Sequence, residues 1–88
     1  MPAAIATRIA AALPALRADF ATGERRSAHA DVDGLSVMVD ATGVSIGYHD
    51  LAELDAWLAS SGATVDRRWA YEADDDLPAE FYAHIPKA

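Results

Sequence analysis

Four side chains of this 88-residue chain are of types that bind divalent metals: His29, Asp31, Asp40 and His49. Imidazole and carboxylate are good ligands for zinc and related ions. Whether they converge depends on the strands that carry them. On the pairing argued below they fall on rows about 7 Å apart, or on strands about 9.6 Å apart, too far to share one ion without a bulge. No metal and no cofactor is therefore expected. The chain contains no cysteine, which excludes disulfides, zinc thiolates, iron–sulfur clusters and thiol nucleophiles. It has no GxGxxG, GxxxxGK[ST] or HExxH motif. No Ser, His and Asp set has an identifiable elbow or base, and no carboxylate pair is visibly set in a cleft. The expectation is a protein that is not an enzyme.

What remains is charge and aromatic surface. The formal net charge is −7, and it is unevenly spread. Residues 1–30 hold four arginines against Asp19 and Glu24, whereas residues 31–88 hold twelve acidic residues against Arg67, Arg68 and Lys87. Such a field repels nucleic acid and anionic membrane and attracts basic protein surfaces. Glu72, Asp74, Asp75, Asp76 and Glu80 form the densest acidic segment. They lack the central glycine and terminal glutamate of a calcium-binding loop, so a basic partner or a solvated turn are the two readings. Arg25-Arg26 and Arg67-Arg68 could hold phosphate, but two short pairs in an acidic chain read better as solvated rim charges. Among Trp57, Trp69, Tyr71, Phe81 and Tyr82, the C-terminal Phe81 and Tyr82 are candidates for a homodimer or partner contact.

These residues are positioned by a short series of elements. Ile5, Ile9, Leu13, Leu16 and Phe20 recur at helical spacing within an arc of about 80°, which predicts an amphipathic helix over 3–21. Pro14 lies on the opposite, solvated side of that helix, where it kinks the helix or opens a second collinear piece. Residues 27–48 alternate apolar and polar, with Asp33-Gly34 a strong turn signal and Thr42-Gly43 a weaker one. Two-residue turns at both places pair Val32 with Leu35, Ala30 with Val37, Ala28 with Val39, Val39 with Ile46 and Val37 with Tyr48, apolar against apolar throughout. The polar side then carries three rows: His29, Met38, Gly47; Asp31, Ser36, His49; and Ser27, Asp40, Ser45. Gly47 leaves a shallow depression beside Met38, and this open face, with Asp31 and Asp40, competes with the acidic segment as a binding surface.

A second helix is expected over 51–61, with Asp50 and Glu53 at its start, Gly62 at its end, and Leu51, Leu54 and Leu58 inward. Trp57 flanks that stripe at the core edge. Residues 63–72 alternate again, a fourth strand with Val65, Trp69 and Tyr71 inward and Arg67 near its exposed end. One or two helical turns are expected from Pro78. The order is thus α-β-β-β-α-β-(short α), an α+β fold: a two-layer sandwich in which both main helices cover one face of a three-stranded antiparallel meander plus a fourth strand. A right-handed crossover places the fourth strand parallel to the third, most simply beside the first.

The length fits one domain over residues 1–88, because two cores would each be too small. Ala3 to Ala18 is too short and too charged for a membrane span and makes a poor signal peptide, which leaves a reducing cytoplasm as the expected location. In size, acidity and missing catalytic apparatus, the chain resembles the small inhibitors carried by phages and other mobile elements, including anti-CRISPR proteins, which often block nucleic-acid-binding surfaces. That likeness implies a noncatalytic module whose acidic surface docks on a basic, nucleic-acid-binding partner. The alternatives are an immunity protein or antitoxin neutralising a toxin, and a small enzyme or ligand-binding domain.

Overall fold

The computed structural model describes residues 2–23, 26–32 and 34–87. They form α1 (Pro2–Thr22), β1 (Ser27–Val32), β2 (Leu35–Asp40), β3 (Gly43–Tyr48), α2 (Leu51–Ser61), β4 (Arg67–Tyr71) and β5 (Glu80–Pro86). Arg25 of the first arginine pair, Asp33 of the first turn and Glu24 lie outside the described residues.

α1 continues across Pro14, which is exposed where its missing N–H costs least. It buries Ile5, Ile9 and Leu16, with Leu13 and Phe20 half-buried along the same stripe. Among the described residues no helix is long and apolar enough to cross a membrane. In α2 the Asp50 carboxylate accepts from the Glu53 N–H at 3.1 Å, and Gly62 closes the helix at φ 70°. Leu54 and Leu58 are buried, whereas Leu51, expected inward, is 41 % exposed at the first turn. Val37, Val39, Ile46, Leu54 and Leu58 share one core, and Trp57 packs against its edge.

The β1–β2 register is the expected one, with Ala28 opposite Val39 and Ala30 opposite Val37. The β2–β3 register differs from expectation by two residues: Val37 faces Ile46, Val39 faces Val44, and the turn is Ala41-Thr42. Asp40 causes the slip, since its carboxylate accepts from the Thr42 N–H at 2.8 Å and hydroxyl at 2.5 Å, folding the chain one residue early. An even slip leaves every side chain on its original face, so apolar matching along the strands cannot detect it.

The C-terminal segment corrects the expected short helix. Glu80–Pro86 is a seven-residue strand, inserted between β3 and β4 in the order β1-β2-β3-β5-β4. Its Phe81, Ala83 and Ile85 face Tyr48, Ile46 and Val44 across the ladder. The period-two pattern of these residues suits a strand, and β3, buried along its whole length, needs a second neighbour. β4 runs parallel to β3 as expected, but two antiparallel pairings through β5 put it at the far edge rather than beside β1.

Both helices lie on one side of this antiparallel sheet. α1 packs on β1 and β2, and α2 on β3, β5 and α1. Neither helix packs on β4, which is tied to α2 by the Arg68–Asp55 ion pair at 2.7 Å. The aromatic side of β4 therefore points the opposite way from the expectation. Trp69 is paired with Tyr82, whose β5 neighbours Phe81 and Ala83 face the core, so Trp69 and Tyr71 lie on the open face. With no helix above β4, inward burial offers these rings nothing.

Candidate functional site

The face away from the helices is the site that this topology assembles. One row runs Asp31, Ser36, Gly47, Tyr82, Trp69 across the five strands, and the next runs His29, Met38, Ser45, His84, Arg67. The depression expected at Gly47 is filled. A Cβ at Gly47 would lie 2.2 Å from Tyr82 Cε2, so the absence of a side chain is what lets the tyrosine ring cross β3. Trp69 stacks on that ring at 5.2 Å and 7° between planes, and Tyr71 meets its edge at 5.6 Å and 89°. The Arg67 guanidinium sits 5.6 Å from the Trp69 ring. Each such contact is worth roughly 0.5–1.5 kcal/mol beyond area burial.

Acidic groups rim this ladder. The Tyr82 hydroxyl donates to Glu80 Oε2 at 2.6 Å. Burial, together with this bond, pushes the phenol above its ordinary 10.0. The Ser36 hydroxyl donates to Asp31, which also meets His29 at 3.3 Å at the β1 edge. Glu72, Asp74, Asp75 and Asp76 are exposed in the connection from β4 to β5. Asp74 is occupied there, accepting from the N–H groups of Asp76 and Leu77 at 2.8 and 2.7 Å.

The candidate residues therefore divide. Glu80 and Tyr82 join the ladder, and Glu72, Asp75 and Asp76 lie beyond its Tyr71 end. His29, Asp31 and half-buried Met38 belong to the other half of the same face. Phe81, coupled with Tyr82 in the sequence reading, points to the opposite side and packs against the core. His49 has no place in a row with Asp31. Among the described residues no group of three or more His, Cys, Asp or Glu side chains could hold a metal ion.

Sequence reasoning missed Thr42, Asp66 and His84. His84, 2 % exposed, has Nδ1 2.6 Å from Asp66 Oδ1 and Nε2 3.1 Å from Thr42 Oγ1. This is the spacing of a carboxylate–imidazole–hydroxyl relay. The Thr42 hydroxyl has a second partner: Asp40 Oδ1 accepts from it at 2.5 Å, shorter than the distance to the ring, and also accepts from the Thr42 N–H at 2.8 Å. The four residues form a clamp joining the start of β4, β5 and the β2–β3 turn. Backbone bonds from Asp66 N to His84 O and from Lys87 N to Thr42 O flank it. The only sequence signal for the clamp is the alternation of residues 80–86, because Asp66 and His84 are linked by strand register alone.

The clamp has a pH consequence. The bond to His84 holds the Asp66 carboxyl below its ordinary 3.8, and the bond to the Thr42 hydroxyl does the same for Asp40. Carboxylates with depressed folded values stabilise the fold above pH ~4 and lose that contribution as pH falls through the folded values. Urea midpoints measured from pH 6 down to pH 2 should fall along this limb, and Asp66→Asn should flatten it. Equal acid slopes in wild type and variant would show the clamp to be idle.

A cleft of about 490 Å³ lies on the helix side of this same end of the sheet, between Phe20 of α1 and Val39, Val44 and Ile85, with Arg17 and Lys87 at its rim. Asp40, its one carboxylate, is committed to the turn. No family model, curated protein or solved structure matches the chain, so the reading of the site rests on its own geometry.

Proposed function

We propose that the protein is a noncatalytic binding module that docks its acidic, aromatic sheet face on a basic protein surface, as an inhibitor of a nucleic-acid-binding partner would. The carrying observation is the ladder Arg67, Trp69, Tyr82 and Tyr71, assembled on a face that no helix covers. Trp, Tyr and Arg are the residues that carry most of the energy at protein interfaces, and three of these four are immobilised by each other or by Glu80 before any partner arrives. The acids beside the ladder supply the field: a net −7 chain speeds encounter with a basic surface and repels free nucleic acid. A cysteine-free chain of this kind suits the cytoplasm.

The test uses three baits in host lysate and then the captured partner on a biosensor. Replacing Asp74, Asp75 and Asp76 by Asn should slow association at low salt more than it speeds dissociation, since rim charges act on encounter. Trp69→Ala should speed dissociation by about tenfold, the effect of truncating a moderate anchor. If both variants match wild type at low and high salt, the open face is a solvated sheet surface and the proposal fails.

A further inference from the structure

β4 is built unlike the other strands. Like β1 it ends the sheet, and among the described residues its outer edge has no neighbouring strand. No helix packs on it, and four of its five residues are exposed. On its helix side a shallow groove of about 340 Å³ runs between Leu51 of α2 and Ala70 and Phe81, floored on apolar surface. An edge this bare pairs readily with another strand unless charges or a bulge prevent it. The occupant can be read from the charges. Arg67 and Arg68 open the strand, while Glu72 and Asp74 to Asp76 follow its end, so antiparallel pairing of two copies brings cations beside acids.

We propose that two copies of the chain join edge to edge through β4, antiparallel about a two-fold axis at Ala70, into one continuous ten-stranded sheet. The axis stands perpendicular to the sheet, so each residue keeps its face and opposes only residues of its own parity. That condition leaves few registers. Centring on Arg68 sets it against its own copy, centring on Trp69 faces both arginines with uncharged Ala70 and Tyr71, and centring on Tyr71 runs most of the strand past its partner's end. Centring on Ala70 opposes Trp69 to Tyr71 of the second copy on the open face and Arg68 to Glu72 of the second copy on the helix face. Each contact occurs twice by symmetry. The next pair on that face, Asp66 and Asp74, lies further beyond the strand ends, where Asp66 is bound to His84 and Asp74 to its own turn. The pairing leaves the open face uncovered and joins two aromatic ladders into one. It goes beyond the docking reading and is independent of it, because it needs only this chain.

A five-residue edge is a small interface, so the association is weak, and sedimentation equilibrium from roughly 10 µM to 1 mM covers its range. The expected result is a monomer–dimer equilibrium. Glu72→Arg sets arginine against arginine twice, and Ala70→Lys sets two ammonium groups together on the axis; each should weaken the dimer about tenfold. A second chain carrying Arg68→Glu with Asp55→Lys keeps an opposite-charge pair between β4 and α2. Alone it too should be largely monomeric. Mixed with the Glu72→Arg chain, it should form a heterodimer, because both contacts are then opposite in charge. Circular dichroism with an unchanged melting curve confirms that each variant is folded. Monomer throughout, a dimer indifferent to Glu72→Arg and Ala70→Lys, or no gain on mixing overturns the proposal.

Discussion

Truncating Leu54 to Ala lowers the unfolding free energy by about 2–5 kcal/mol, a large share of the ~5–15 kcal/mol expected for a domain of this size. Leu54 is fully buried where α2 meets β3 and β5, and Leu58 one turn on lies in the same core. Losing the isobutyl group removes apolar burial and leaves a cavity that helix and sheet cannot both close. Urea titration followed by far-ultraviolet circular dichroism at 25 °C measures it. A loss below ~1 kcal/mol would show that α2 is not seated on the sheet as described.

Gly43→Ala costs a comparable amount by a different mechanism, on the order of 3 kcal/mol, from a strained backbone together with a steric conflict. Gly43 adopts φ 137°, which side chains other than glycine's rarely accept. A Cβ there would lie 2.1 Å from the Ile85 carbonyl oxygen and 2.8 Å from the Lys87 nitrogen. Both obstacles are backbone, so relief means prising β5 from β3 at the clamp. Gly47→Ala is the informative contrast, since there the obstacle is the Tyr82 ring, a side chain that can swing away. That variant should unfold at a urea midpoint closer to wild type yet lose near-ultraviolet aromatic dichroism as the ladder disperses. If Gly43→Ala is no less stable than Gly47→Ala, the tight corner between β3 and β5 is misdescribed.

How much of this was legible in the sequence follows the range of the forces involved. The helical stripe from Ile5 to Phe20, the Asp50 and Gly62 caps and the first hairpin are set by neighbours within a few residues, and all appear as read. The second hairpin is a near miss. Its faces were legible, but its register turned on two bonds from Thr42 to Asp40, and period-two matching is blind to a slip of two. Residues 80–86 were misread because Pro78 begins a helix as readily as it precedes a strand. The alternation of residues 80–86 suits a strand, but what calls for one is the unfilled edge of β3, and that edge is not a local property.

By itself the sequence determined the charge of −7, the absence of cysteine, both helices, the meander and the faces of β1 to β3, because composition and short-range periodicity carry that information. Tertiary structure alone decided that β5 divides β3 from β4, and everything placed on the site follows from that insertion. It turned Trp69 and Tyr71 away from the core, laid Tyr82 across Gly47, and enclosed His84 between Asp66 and Thr42. It also left β4 as a bare edge that α2 meets through the Arg68–Asp55 ion pair but does not cover. The physical reason is that strand order is chosen by which edges remain to be paired once the core is closed, a property of the whole chain that no window of residues contains.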